Sequence, residues 1–138
     1  AVGGTILMDV DADGPVNTTR GYLWMISDAG LSRLALRGWN QGVTDDSCAL
    51  VVGDGAGNTD LLITTALRGR QRIAASYING AAPMVSLSGA AAVTSARSFV
   101  HDPATTTITI GGGFYGHLRG IRIYRRPMTG AQLQALTA

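Results

Sequence analysis

The run Asp9-Val10-Asp11-Ala12-Asp13-Gly14 sets three carboxylates at i, i+2 and i+4. That spacing puts them on one face of an extended strand. Two kinds of chemistry use such a row. Retaining cleavage of a glycosidic bond needs two carboxyls roughly 5–5.5 Å apart across a sugar. A calcium loop that opens D-x-D-x-D-G needs the same oxygens, but its twelfth position falls here on Arg20, not on a bidentate Glu. This excludes a full EF-hand and leaves a looser cage of Asp9, Asp11 and Asp13 completed by backbone carbonyls. The plainer reading, and the one expected, is a solvent-facing polar edge ending in the turn Asp13-Gly14-Pro15.

A second group of residues suits recognition more than catalysis. Sugar binding wants a flat aromatic ring against C–H groups, with amides or carboxylates nearby for the hydroxyls. Trp39-Asn40-Gln41-Gly42 followed by Asp45-Asp46 is the one stretch with that combination outside the alternating runs. Tyr115, beside Phe114 at a glycine-rich turn, can join the rim of such a site, and Phe114 can equally anchor the turn in the core. Trp24 lies inside an alternating run and is expected in the core. The expected ligand-binding set is therefore Trp39, Asn40, Asp45, Asp46 and Tyr115. Isolated exposed aromatics also serve protein interfaces, and often serve nothing.

The remaining sets are thin. His101, His117 and Cys48 give no zinc spacing, and there is no G-x-S-x-G nucleophile elbow. His101-Asp102-Pro103 reads as a loop turn before it reads as half a dyad. Gly111-Gly112-Gly113 leads toward a strand, not toward the helix N-terminus that a phosphate cradle needs. Asn17-Thr18-Thr19 is formally a glycosylation sequon. No catalytic residue, cofactor or resident metal is expected, with calcium at the three aspartates as the one alternative.

All eleven basic residues are Arg and all nine acidic residues are Asp. The absence of Lys and Glu removes lysine Schiff bases, P-loop lysines and every glutamate acid or base. The net +2 is spread along the chain, with only Arg68, Arg70, Arg72 and the pair Arg125, Arg126 close together. A nucleic-acid binder would show a denser basic face with interleaved aromatics. At 138 residues, 46% hydrophobic and 14% charged, the sequence is one domain, too apolar for intrinsic disorder. No apolar run approaches the roughly 18 residues of a membrane span. Neither nucleic acid nor membrane is expected as a partner.

Nineteen glycines and fourteen threonines, with few long helix formers, point to β structure. Apolar alternation predicts strands at 4–11, 20–27, 31–37, 47–53, 59–65, 71–79, 82–88, 105–110 and 117–124. Asn79-Gly80 between two such runs is a strong hairpin signal. One helix is predicted at 129–136. Thr129 and Gln132 form a capping box there, with Met128 and Leu133 as its hydrophobic staple. It is expected to close one end of a β-sandwich.

Taken together, several runs resemble a known family. Gly113-Phe114-Tyr115-Gly116-His117-Leu118-Arg119-Gly120-Ile121-Arg122-Ile123-Tyr124-Arg125-Arg126-Pro127-Met128-Thr129, then Ala131-Gln132-Leu133, resembles the closing motif of concanavalin A-like, laminin G-like jelly rolls. It is similar to the version at the ends of tailed-phage and prophage structural proteins. Leu23-Trp24-Met25-Ile26-Ser27-Asp28 with Arg33-Leu34, Arg72 to Tyr77, and Val85-Ser86-Leu87-Ser88-Gly89 resemble the family's internal strands. The resemblance implies an all-β, two-sheet antiparallel jelly-roll sandwich with a short C-terminal helix. It further implies one domain over 1–138, a fragment or processed module of a larger protein. The expected role is a non-catalytic module on the extracellular-facing surface of a virion, in a tail or capsid protein, binding a glycan or bacterial surface polysaccharide. The alternative is a structural module that packs against other virion subunits or against copies of itself. Glycoside hydrolysis stands last: retaining β-glucanases of this fold class carry Glu-x-Asp-x-Glu at the spacing of Asp9, Asp11 and Asp13, and the outer acids here are one methylene shorter.

Overall fold

The computed structural model describes residues 2–12, 21–29, 32–39, 47–54, 58–66, 69–112 and 116–138. In chain order these form β1 (Gly3–Ala12), β2 (Gly21–Ser27), β3 (Ser32–Trp39), β4 (Ser47–Asp54), β5 (Asn58–Ala66), β6 (Gly69–Ile78), β7 (Met84–Leu87), β8 (Val93–Thr94), β9 (Thr107–Gly112), β10 (Gly116–Tyr124) and α1 (Gly130–Thr137). The strands make two five-stranded sheets, ordered β10-β1-β6-β7-β8 and β5-β4-β3-β2-β9, and every pair is antiparallel. This is the two-sheet sandwich with one short C-terminal helix that the sequence implies.

Period-two alternation builds the core. Ile6, Met8 and Val10 of β1 face inward and meet Ile73 and Ala75 of β6, Val85 and Leu87 of β7, and Leu34, Leu36, Leu50 and Val52 of the second sheet. Trp24 is 1% exposed, so its placement in the core holds. A bulge between Tyr22 and Trp24 interrupts the alternation of β2, and both Leu23 and Trp24 enter the core.

The helix has the expected capping box: Thr129 Oγ1 accepts from the Gln132 amide, and Gln132 Oε1 accepts from the Thr129 amide at 2.9 Å. Its position differs from the expectation. Instead of closing an end, α1 lies on the outer face of the first sheet, where Met128 and Leu133 pack on Leu7 and Ala74. The approach to it is pinned by Thr5 Oγ1 donating to Arg126 O at 3.0 Å and by the Met128 amide donating to Ser76 Oγ at 2.8 Å. Leu7 and Ala74 face outward on adjacent strands, so the sheet itself offers the helix an apolar seat.

Three further points depart from the expected layout. Trp39 is the last residue of β3, opposite Ser47, and does not begin a loop. β1 is flanked on both sides, so Asp9 and Asp11 lie on the face of a central strand and not on an edge. The irregular stretch after β8 delivers Phe99, fully buried, to the core. Its ring meets Tyr77 edge-on at 6.0 Å and stacks on His101 at 4.9 Å.

Leu133→Ala is expected to cost about 3 kcal/mol, as for a buried leucine truncated without collapse of its site. Thr129→Ala is expected to cost about 1 kcal/mol through the lost cap. Urea unfolding midpoints of the two variants check both values and their order.

Candidate functional site

The outer face of the first sheet carries an ion ladder. Register puts Arg72 of β6 opposite Asp9 and Arg70 opposite Asp11. Arg72 Nε donates to Asp9 Oδ1 at 2.7 Å. That hydrogen bond, reinforced by the carboxylate's charge, raises the Arg72 guanidinium above its ordinary value. Arg119 of β10 donates to Asp11 Oδ2 from Nη2 at 2.9 Å and from Nε at 3.2 Å. Arg70 Nε stands farther off, 3.7 Å from the same oxygen.

Arg119 reaches this face because of a backbone irregularity. On β10, Gly120 sits opposite Asp9 and Leu118 opposite Val10, so Arg119 is the extra residue of a bulge. Without it, strict alternation would send position 119 toward the core. The bulge lets Leu118 pack inward on the core while Arg119 turns out to Asp11. At Gly120, a Cβ would stand 3.7 Å from Asp9 Oδ2, ordinary contact distance.

Beside the ladder lies an open groove of about 470 Å³, within the roughly 300–1,000 Å³ typical of small-ligand sites. One wall is Asp9, Arg70, Arg72 and Arg119; Ser88 adds a hydroxyl, and Thr137 and Ala138 at the end of α1 close the far side. The Thr137 hydroxyl holds that side in place, with Ser86 Oγ at 2.9 Å and the Gly89 amide at 3.1 Å. The groove can therefore offer guanidinium and hydroxyl groups on a floor fixed by strand pairing. The sequence reading singled out Asp9 and Asp11 but missed their arginine partners.

Of the expected ligand set, Trp39 is described only in its backbone, and Asn40, Asp45, Asp46 and Tyr115 lie outside the described residues, as do Phe114 and Asp13. A calcium cage at Asp9, Asp11 and Asp13 would have to displace Arg72 and Arg119 from the first two carboxylates. Among the described residues no three His, Cys, Asp or Glu side chains converge on a metal position. No helix among them is long and apolar enough to cross a membrane.

His101 and Asp102 form a structural turn. The His101 ring is 5% exposed, and its Nδ1 lies 2.6 Å from Thr106 Oγ1. Because that hydroxyl donates to Asp102 O, Nδ1 carries the proton and donates to it. The Asp102 carboxylate accepts from the Ala104 amide at 2.9 Å. Asn79 clamps the turn by accepting from the His101 amide and donating to its carbonyl. Gly80, with φ +85°, lets the chain reverse there, while Asn79 stays out of the left-handed region.

No protein-family model matches the chain, and no curated protein sequence does. Solved structures share its fold at low identity. The CBM40 module of the Ruminococcus gnavus IT-sialidase has a TM-score of 0.72 and 16% identity, over 99% of this chain and 83% of that one. The same module bound to α2,3-sialyllactose scores 0.69 over the same shares. A leech intramolecular trans-sialidase, complexed with 2,7-anhydro-Neu5Ac, scores 0.69 at 16% identity; the chain here matches over 99% of its length but spans only 23% of that enzyme. Domains LG4-5 of the mouse laminin α1 chain score 0.51 at 12% identity, over 94% of this chain and 39% of that one. The jelly-roll fold is thereby shared with carbohydrate-binding modules and with laminin G domains.

Asn79→Ala removes both clamp hydrogen bonds and is expected to cost about 1–3 kcal/mol. Hydrogen exchange should accelerate at residues 99–106, with the amides of β1 and β6 losing only the global difference. Uniform acceleration across the sandwich would show that the turn unfolds only with the whole domain.

Proposed function

We propose that the chain is a non-catalytic glycan-binding module displayed on the outward-facing surface of a phage or prophage virion, in a tail or capsid protein, where it meets bacterial surface polysaccharide. The observation that carries the binding reading is the groove: guanidinium and hydroxyl groups on a rigid sheet face, in a fold shared with modules solved with sialyllactose. The virion setting is supported by the resemblance of the run from Gly113 to Leu133 to the ends of phage structural proteins. A non-catalytic role is supported by the carboxylates, since Asp9 and Asp11 each already hold a guanidinium. Trp39, Asn40, Asp45, Asp46 and Tyr115 remain the alternative sugar contact. The groove, being open to water, should bind one sugar weakly, at millimolar to micromolar Kd, about −4 to −8 kcal/mol. Multivalent display then raises retention without new contacts.

Assembly is the second reading, and a specific flank favours it. Ile108 and Ile110 of the edge strand β9 are 44% and 43% exposed, and Ile123 of β10 is 53% exposed. The strands lie close together there: a Cβ on Gly111 would stand 3.8 Å from Leu118. Such exposed isoleucines suit contact with another virion subunit or a second copy of the chain.

A glycan array probed with the multimerised chain, beside light-scattering mass of the free chain, separates the readings. Retention on at least one glycan class by a monomeric chain is expected. No retention on any glycan, with self-association, transfers the module to assembly. Trp39→Ala should leave retention intact; loss of retention at an unchanged unfolding midpoint moves the contact from the groove to the Trp39 set.

A further inference from the structure

Counting side chains, the ladder beside the groove holds three cations, Arg70, Arg72 and Arg119, against two anions, Asp9 and Asp11. The cations are not equivalent. Arg72 and Arg119 are hydrogen-bonded to carboxylates, whereas the 3.7 Å gap from Arg70 to Asp11 is too long for a hydrogen bond. The oxygen that Arg70 faces, Asp11 Oδ2, already accepts two bonds from Arg119. The Arg70 side chain is also the most open of the three, 74% exposed against 45% for Arg72 and 49% for Arg119. Among the described residues, Arg70 thus makes no hydrogen bond from its guanidinium, and it stands in the groove wall between neighbours that are held still.

We infer that Arg70 is the residue through which the groove selects its ligand, and that the ligand is a sugar carrying a single anionic substituent, a carboxylate or a sulfate ester. The inference rests on the glycan-binding reading of the same groove. A neutral sugar settling here would strip water from Arg70 and supply no counter-charge, which is unfavourable. An anionic oxygen pair replaces that water with charge-assisted, bidentate bonds. The two aspartates set the upper limit. Asp9 lines the groove with its side chain 38% exposed, and it repels a second negative group, so a densely charged polyanion fits worse than a sugar with one charge. The pairs Asp9–Arg72 and Asp11–Arg119 act as positioning groups. They keep two of the three cations from collapsing onto the incoming anion, and they hold the net side-chain charge of the ladder at +1, three guanidinium groups less two carboxylates.

The test is isothermal titration of the chain with 3′-sialyllactose, 3′-sulfolactose and lactose, at low and at high sodium chloride. Both acidic sugars, or one of them, should bind at least about tenfold tighter than lactose at low salt, with the gap narrowing several-fold as salt screens the exposed charge. Which acid binds identifies carboxylate or sulfate as the recognised group. Arg70→Gln should bring the acidic sugars to within about twofold of lactose, with the unfolding midpoint unchanged. Arg70→Lys should recover part of the preference, because a point charge replaces the planar fork. Equal affinity for all three sugars overturns the inference while leaving the glycan reading intact. So does an Arg70→Gln chain that keeps the wild-type preference. Binding of none of the three overturns it as well, and the glycan array then decides the broader reading separately.

Discussion

The alternation of a single strand organises this molecule. β1 is hydrogen-bonded to β10 on one side and β6 on the other. Its inward residues Ile6, Met8 and Val10 join the sandwich core. Of its outward residues, Leu7 seats the C-terminal helix, while Asp9 and Asp11 anchor the arginines of both neighbouring strands. Core, helix and groove thus share one register. A one-residue slip would exchange every inward side chain of β1 for an outward one, burying carboxylates where isoleucine and methionine now pack. Such a slip is prohibitively unfavourable, so the groove inherits its rigidity from the core.

The outer face of the first sheet is divided along the strands. Toward one end, Leu7, Ala74 and Ser76 take the helix and its approach; toward the other, Asp9, Arg70 and Arg72 take the groove. The boundary falls where α1 runs out. Its last turn supplies Thr137, whose hydroxyl is shared with Ser86 and the Gly89 amide, and the same turn forms the groove's far side. Docking of the helix and shaping of the groove are consequently one event: a variant that loosens Leu133 should blur the groove even though Leu133 does not line it.

Local patterns made much of this fold legible. Among the described residues the alternating runs located nine of the ten strands, Trp24 read correctly as core, and Thr129 with Gln132 marked the helix start. What escaped were features set by pairing between distant segments. Asp9 and Arg72 are 63 positions apart and Asp11 and Arg119 are 108 apart, and no local periodicity encodes which strand lies beside which. Phe99 and His101 escaped because they reach the core from irregular chain, through hydrogen bonds from Asn79 and not through alternation. Trp39 was read as loop because glycine, asparagine and aspartate follow it, yet pairing with Ser47 carries β3 to that residue. The one local sign of the bulge was Gly120, an isolated glycine inside a strand pattern.

That bulge confers a particular kind of evolvability. Arg119 is the surplus residue of β10, with Gly120 already opposite Asp9 and Leu118 already opposite Val10. Loss of one codon at this position would knit the ladder into regular pairing and leave every core contact of the strand in its place. The same event would leave two guanidinium groups facing two carboxylates. Length changes inside a strand are ordinarily ruinous, because they reverse the facing of all that follows. At this point alone in the strand, a deletion would act as a charge substitution, giving a lineage a way to retune what the surface attracts while its interior goes unaltered.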